Sequence, residues 1–120
     1  MNDLPSKLSY LEIGTQLGAP FTEFFSQLFG WTFHPFEDAG NGWFETPWGK
    51  AGLHPDDASP GITAYFLTRD RDIEQTALQV VALGGRASPI GALKPSFGRF
   101  CQCGDPQGVP FGLHEADPSL

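Results

Sequence analysis

The sequence has little positive charge, few cysteines and no long apolar run. Among its 120 residues, 7 Lys and Arg stand against 14 Asp and Glu, which gives a formal net charge of −7 at pH 7. Nucleic-acid backbones and anionic membrane surfaces favour clustered positive charge, so we expect neither as a partner. No apolar stretch approaches the roughly 18 residues that a membrane span needs. A globular protein that acts on something other than nucleic acid or membrane is what remains.

Several functional motifs are also missing. The first residues, MNDLPSKLSY, lack the apolar core of a signal peptide, which favours a cytoplasmic location. The pair Gly84–Gly85 follows a predicted helix rather than opening one, which is the wrong context for a dinucleotide site. Cys101 and Cys103 lie two residues apart in a predicted strand, where a disulfide between them would be strained. We therefore expect two buried, reduced thiols.

An internal repeat accounts for the length of the chain. FFSQLFGW, which ends at Trp31, matches LQVVALGG, which ends at Gly85. PWGKAGLH matches PQGVPFGLH, and their Gly-Leu-His endings lie 60 residues apart. Residues 1–59 hold 2 basic and 8 acidic side chains (net −6), whereas residues 60–120 hold 5 and 6 (net −1). The repeat predicts module one over residues 7–54, a linker over 55–60 and module two over 61–115.

Each module is predicted to contain a strand, a helix and three further strands. For module one the strands are Leu8–Gly14, Trp31–Phe36, Gly42–Thr46 and Lys50–His54, with a helix from Pro20 to Gly30. For module two they are Ile62–Leu67, Arg86–Ile90, Phe97–Cys103 and Pro110–His114, with a helix capped by Asp70 or Asp72 and ended by Gly84. The first helix is predicted to carry one apolar stripe, formed by Phe21, Phe24, Phe25 and Leu28. The second helix is predicted to bury Ile73, Ala77, Val80 and Val81, with Leu78 as a further candidate.

Two βαβββ modules with LFGW at one helix end and a GRF…DPQG…FGL tail resemble the vicinal oxygen chelate superfamily. That superfamily includes glyoxalase I, extradiol dioxygenases and the fosfomycin- and bleomycin-resistance proteins, and the resemblance runs from Leu8 to Glu115. It implies an α+β fold in which a curved eight-stranded mixed sheet surrounds a cavity, with the helices outside. It also implies a homodimer. The linker Pro55–Pro60 is compatible with modules that pair within a chain or between chains.

The metal-ligand positions of the superfamily are not occupied by metal ligands here. Carried over residue by residue, they are Tyr10, Gly52, Ala64 and Gly112. None supplies an imidazole or a carboxylate, which are the donors that divalent cations usually take from proteins. We therefore expect no cofactor at the usual place, and we do not expect chemistry that depends on the family's metal.

Alternation along the strands separates a helix-facing side from a cavity side. The residues expected to face the helices are Leu11, Ile13, Ala51, Leu53, Tyr65, Leu67, Phe111 and Leu113. The residues expected to line the cavity are Tyr10, Glu12, Lys50, Gly52, His54, Ala64, Phe66, Pro110, Gly112 and His114. Trp43 and Trp48 flank the cavity edge, where they could stack on a flat ligand or shield an interface or the core.

Three cavity residues, Glu12, His54 and His114, allow more than one interpretation. They could form a displaced site for a divalent metal, since their ligand types suit zinc, iron or manganese. They could also orient an organic ligand or transfer protons near neutral pH, or share no function. Arg99 is expected to be a structural ion-pair partner. The sequence predicts a small-molecule binding protein, with a lyase or isomerase that uses the three residues as the alternative.

Overall fold

The computed structural model describes residues 5–16, 18–36, 41–55, 61–68 and 72–117. Their elements, in chain order, are β1 (Leu8–Gly14), α1 (Gly18–Phe29), β2 (Thr32–Pro35), β3 (Gly42–Glu45), β4 (Lys50–His54), β5 (Gly61–Leu67), α2 (Ile73–Ala82), β6 (Arg86–Ala87), β7 (Arg99–Gly104) and β8 (Pro110–Glu115). This is the βαβββ order twice, which confirms the predicted α+β class. Residues 56–60 of the predicted linker, and Asp70, lie outside the described residues.

The chain divides into two compact units, which we call the first unit (Tyr10–Thr63) and the second unit (Met1–Ser9 with Ala64–Leu120). In the first unit the strand order is β2-β3-β4-β1, with β1 and β4 parallel and the other pairs antiparallel. In the second unit the order is β5-β8-β7-β6, with β5 and β8 parallel and the rest antiparallel. The two units therefore pair their strands in the same way. The predicted cavity between the modules stays a prediction.

An aromatic core holds helix α1 against the sheet of the first unit. Phe44 lies at the centre of this core and is 0% exposed, and Phe21 and Phe25 of the helix pack against the core. The two helix rings stack with centroids 4.2 Å apart. Phe24 and Leu28, the other two residues of the predicted apolar stripe, are 60% and 58% exposed, so only half of the stripe contacts the sheet. They flank the Phe21–Phe25 line on the side of the helix that turns away from the sheet.

Helix α2 holds the second core by a narrower contact. The Asp72 side chain caps it by accepting the Gln75 N–H at 2.8 Å. Ile73 is fully buried with the Cys101, Cys103 and Leu113 side chains, and Ala77 and Val80 continue its line. Val81, by contrast, is 56% exposed, which corrects its predicted burial, and the further candidate Leu78 is 71% exposed. A helix turns about 100° per residue. Ile73, Ala77 and Val80 face the sheet, and the residues next to Ala77 and Val80 in sequence, Leu78 and Val81, therefore point away from it.

Two smaller features of the second unit bear on the predictions. Strand β6 ends at Ala87 rather than at Ile90, because the chain then turns into an irregular segment closed by a Lys94–Gly98 bridge. Cys101 and Cys103 are free and buried, with their sulfur atoms 3.8 Å apart, which confirms the predicted thiols. Burial, with a smaller contribution from Cys101, raises the pKa of Cys103 to about 12. In the described part of the chain, neither helix has the length and apolarity to cross a membrane.

Candidate ligand-binding face

One side of the first unit's sheet carries most of its chemically active side chains. Ile13, Ala51 and Leu53 point into the core, so their strand neighbours point away from helix α1. We call this side the first-unit face, and its residues are Tyr10, Glu12, His34, Trp43, Glu45, Lys50, Gly52 and His54.

Glu12 and His54 form a hydrogen-bonded pair on the first-unit face. Parallel strands β1 and β4 bring them together, and His54 Nε2 lies 2.9 Å from Glu12 Oε2. Their side chains are 51% and 26% exposed, so the imidazole is open to solvent while the carboxylate is mostly covered. A carboxylate in this position fixes the orientation of the ring, as in catalytic and metal-binding histidines. Two of the three predicted polar residues are therefore brought together.

Tyr10 covers the glycine at the centre of the face. Its hydroxyl occupies the place that a Cβ at Gly52 would need. Burial, and to a lesser extent the nearby Glu12 carboxylate, raises the pKa of Tyr10 to about 12. The phenol therefore stays protonated at neutral pH. Gly52 is the strand partner of both Trp43 and Glu12, so this smallest position lies between an indole and a carboxylate.

Trp43 is held between a histidine and a lysine. The His34 ring stacks on it with centroids 4.3 Å apart, and Lys50 Nζ lies 4.8 Å from its ring centroid. His34 Nε2 in turn lies 2.9 Å from Glu45 Oε1. The sequence interpretation missed His34 and Glu45. The β2–β3 hairpin register, in which His34 is opposite Trp43, is the signal that could have found them.

His114 lies in the second unit, and both of its ring nitrogens are engaged. Nε2 lies 2.6 Å from the carbonyl oxygen of Phe97, which can only accept, so this nitrogen carries a proton. Nδ1 lies 2.7 Å from Ser9 Oγ. The ring also stacks on Phe100, with centroids 4.7 Å apart, and the residue is only 9% exposed. The described residues contain no group of three or more His, Cys, Asp or Glu side chains able to hold a metal ion. Glu12 and His54 belong to the first unit and His114 to the second, and a displaced metal site stays a hypothesis.

The structure corrects the predicted facing of strand β5. The Tyr65 ring occupies the place that a Cβ at Gly112 would need, and it meets the edge of Phe100 at 5.4 Å. Tyr65 therefore lies on the Gly112 and His114 side, and it is 1% exposed. Since neighbours on a strand alternate, Ala64 and Phe66 point to the other side, so their cavity assignment is wrong. The helix-facing assignment of Tyr65 and Leu67 is wrong for the same reason. The register of Tyr65 opposite Gly112 sets this facing, and the repeat alignment alone was one residue out.

Arg99 is a structural ion-pair residue, as predicted. Its guanidinium contacts Glu74 through two hydrogen bonds of 2.6 and 2.9 Å and Glu115 through bonds of 2.9 and 2.7 Å. The Arg99 hydrogen bonds hold the pKa of Glu74 below its ordinary value. The cluster ties helix α2 to strands β7 and β8 on the helix side of the second unit.

The repeated βαβββ order, with a parallel pair of first and last strands in each unit, is the vicinal oxygen chelate fold. No protein-family model and no curated protein matches the chain. Solved structures do. A hypothetical protein from Bacillus halodurans C-125 is 14% identical, with a TM-score of 0.74, over 96% of this chain and 97% of that one.

Two named proteins share the fold. A methylmalonyl-CoA epimerase from Mycobacterium tuberculosis is 17% identical, with a TM-score of 0.71, over 94% of this chain and 89% of that one. The 2,3-dioxygenase LapB from Pseudomonas sp. KL28 is 16% identical, with a TM-score of 0.67, and this chain covers 40% of its length. At these identities the likeness concerns the fold.

Proposed function

We propose that the protein binds a small organic molecule on the first-unit face, without the metal of its superfamily. The observation that carries this proposal is the cluster of unlike groups around Gly52: the Tyr10 phenol, the Glu12–His54 pair and the Trp43 indole. Small-molecule sites typically combine an aromatic or apolar surface with a few convergent polar groups. Tyr10 and Gly52 lie at positions where metal-dependent members of the superfamily carry metal ligands. Here Tyr10 supplies a phenol, and Gly52 has no side chain that could bind a metal.

The chemistry of the face favours a flat, polar ligand. Trp43 supplies a large, rigid aromatic surface, and its ring is fixed by His34 and Lys50. Glu12 and His54 lie beside Gly52, and they can accept hydrogen bonds from a ligand and donate hydrogen bonds to it. Lys50 adds a positive charge to a module that is otherwise acidic. A ligand over Gly52 would therefore contact an aromatic edge, a phenol and an ionisable pair.

Fluorine NMR of protein labelled with 5-fluorotryptophan tests this proposal. The three tryptophans give three signals, and Trp31 and Trp48 serve as internal controls for binding elsewhere. A library of small aromatic and heterocyclic compounds is expected to contain members that shift the Trp43 signal saturably. His54→Gln is expected to weaken them, whereas Lys94→Gln, at an exposed residue outside the first-unit face, is the control expected to leave them unchanged. Compounds that shift only Trp31 or Trp48, or no binder at all, would contradict the proposal.

A lyase or isomerase activity is the second candidate, and the Glu12–His54 pair favours it. An imidazole oriented by a carboxylate can remove and return a proton near neutral pH. His114, with both nitrogens engaged, would support the strand rather than react. Since a structural neighbour is a methylmalonyl-CoA epimerase, methylmalonyl-CoA is the first compound to try. Deuterium uptake from D₂O is expected to be lost in His54→Gln and kept in Lys94→Gln, which changes an exposed residue outside the first-unit face. Equal uptake in both variants would exclude the His54 role.

Assembly as a homodimer and a cytoplasmic location stay predictions. Exposed apolar side chains on the outer sides of both helices, such as Phe24 and Leu78, agree with a second copy as partner. Sedimentation velocity at several concentrations measures the assembly directly. A species of twice the 13.0 kDa chain mass is expected, and a monomer at all concentrations would remove the homodimer from the account.

A further inference from the structure

The corresponding sheet side of the second unit contains an open depression of about 490 Å³ next to strands β6 and β7. Its lining residues are Arg86, Ala87, Ser88, Gln102, Cys103 and Gly104. This volume lies within the range of about 300–1,000 Å³ that is usual for small-molecule sites. The depression belongs to the second unit alone and shares no residue with the first-unit face.

Strand register explains why the depression exists. Gly52 and Gly112 are equivalent in the repeat, and their strand partners are Trp43 and Gln102. One step further, Glu45 of β3 corresponds to Gly104 of β7, and His34 of β2 to Ser88. The second unit thus has an amide, a hydrogen atom and a hydroxymethyl group where the first unit has an indole, a propionate and an imidazole. The smaller side chains at these three positions leave room for the depression.

Arg86 supplies the charge of the depression. The end of its guanidinium lies 2.9 Å from the place of a Cβ at Gly104, so it extends over that glycine. Within the part of the chain that the structure describes, Arg86 makes no ion pair with a carboxylate. The adjacent Asp105 uses its Oδ1 to accept the N–H groups of Gln107 and Val109 at 2.8 and 2.9 Å.

Two acidic side chains of the described residues, Glu74 and Glu115, lie on the opposite side of the sheet. Both are held there by Arg99. In the depression itself, the Gln102 amide and the Ser88 hydroxyl add neutral hydrogen-bonding groups, while the Ser88 hydroxyl donates to the Gln102 carbonyl at 2.9 Å. One cationic fork with neutral polar neighbours matches a carboxylate, which accepts two parallel N–H bonds from a guanidinium.

We propose that this depression is a second ligand site, which takes small organic carboxylates through Arg86 and Gln102. The carboxylate lies against the guanidinium, and the body of the ligand fills the space over Gln102 and Gly104. The site is independent of the first-unit face, so either can fail while the other stands.

Amide NMR titration with benzoate tests the proposal, with benzamide as the uncharged molecule of the same shape. Benzoate is expected to shift the amide signals of Arg86, Gln102 and Gly104 saturably and to bind more tightly than benzamide. Arg86→Gln is expected to weaken benzoate about tenfold, the usual scale for one charged hydrogen-bonding partner. Lys94→Gln removes the same charge from an exposed residue outside the depression and is expected to leave binding unchanged.

A second variant tests the geometry without removing charge. A methyl group at Gly104 would meet the Arg86 guanidinium, which can swing away at little cost to the fold. Gly104→Ala is therefore expected to weaken benzoate several-fold while the melting temperature stays close to that of the parent. Equal weakening by Arg86→Gln and Lys94→Gln, equal binding of benzamide, or shifts that never saturate would each overturn the proposal.

Discussion

The two units differ most on the sheet side that faces away from their helices. In the first unit this side holds two imidazoles, two carboxylates, an ammonium, a phenol and an indole, mostly in contact with one another. In the second unit the same sheet side holds Tyr65, Phe100 and His114 as a mostly buried group, in which Phe100 stacks on His114 and meets Tyr65 edge-on. Beside this group lies the depression that Arg86 and Gln102 help to line. The pairing of the strands is the same, so the difference comes from the side chains alone.

The cores on the helix sides of the two units also differ in the size of their side chains. At one register position the first core has Phe44, which contacts four other aromatic rings, and the second core has Cys103. The first unit thus gains its stability from a dense aromatic core. The second unit adds an ion-pair cluster around Arg99 to a smaller core. A unit with a strong core can carry a polar, partly exposed face at lower risk to its fold.

Substitution of the two equivalent core residues should give the largest difference. Phe44→Ala is expected to lower the free energy of unfolding by about 3–5 kcal/mol, because it removes a fully buried ring and leaves a cavity. Cys103→Ala removes one sulfur atom and is expected to cost about 1 kcal/mol. Urea unfolding measures both, with Phe44→Leu as the milder variant should Phe44→Ala not fold. Equal losses would break the comparison of the two cores.

Substitution of Gly52 and Gly112, the two glycines covered by tyrosine side chains, should give the next largest effect on stability. Gly112→Ala would force the buried Tyr65 ring aside and is expected to cost about 1–3 kcal/mol. Gly52→Ala meets mainly the Tyr10 hydroxyl, so it should cost less. Gly61→Ala, at an open strand position, is the control.

A rescue experiment sharpens this second comparison. Tyr10→Phe removes the hydroxyl and is expected to restore part of the stability lost in Gly52→Ala. Tyr65→Phe leaves the ring in place and is expected to restore little in Gly112→Ala. Rescue of Gly112→Ala by Tyr65→Phe would show that the ring of Tyr65 does not lie as the structure has it.

Alkaline titration tests the burial of Tyr10. Its pKa is raised from 10.0 to about 12, so its contribution to stability is full below pH 10.0 and is lost as pH rises through about 12. In Tyr65→Phe, Tyr10 is the one remaining tyrosine, and its phenolate absorbance is expected to appear near pH 12. Tyr10→Phe should lose less stability than the parent protein between these pH values. A midpoint near 10 would mean that the first-unit face leaves Tyr10 in water.

The Arg99 cluster should give the smallest effect. The pKa of Glu74 is lowered from 4.5, so this pair stabilises the protein above that pH and the contribution is lost as the pH falls. Arg99→Gln is expected to be modestly less stable than the parent protein at neutral pH, and the gap should shrink in acid, since Glu74 is exposed and screened by solvent. Thermal unfolding across the pH range measures this, with Lys94→Gln as a control of equal charge. A gap that is constant with pH would contradict the pairing.

Much of the fold could be predicted because the chain repeats. The alternation of Ile13 with its neighbours and the helical spacing of Phe21 and Phe25 are local patterns, and both hold in the structure. The facing of Tyr65 could not be predicted in this way, since it depends on the register of two strands far apart in sequence. Val81 was misplaced because helical spacing does not show how wide a contact the sheet offers.

The candidate site was predictable only in part. Glu12 and His54 follow from strand parity and from the pairing of the first and last strands of a module. His114 follows the same pattern, yet the carbonyl of Phe97 and the hydroxyl of Ser9 engage it. His34 and Glu45 become part of the site through hairpin register. The depression beside Arg86 arises from what the equivalent residues lack, which a single module does not reveal.

The central claim is that ligand chemistry lies on the first-unit face and that His114 is structural. Long-range ¹H–¹⁵N spectra of the three histidine rings, recorded with and without a compound that shifts Trp43, test it most directly. The account predicts that the His54 ring signals move on binding, while His114 keeps its proton on Nε2 and does not move. Movement of His114 with His54 unchanged would contradict it.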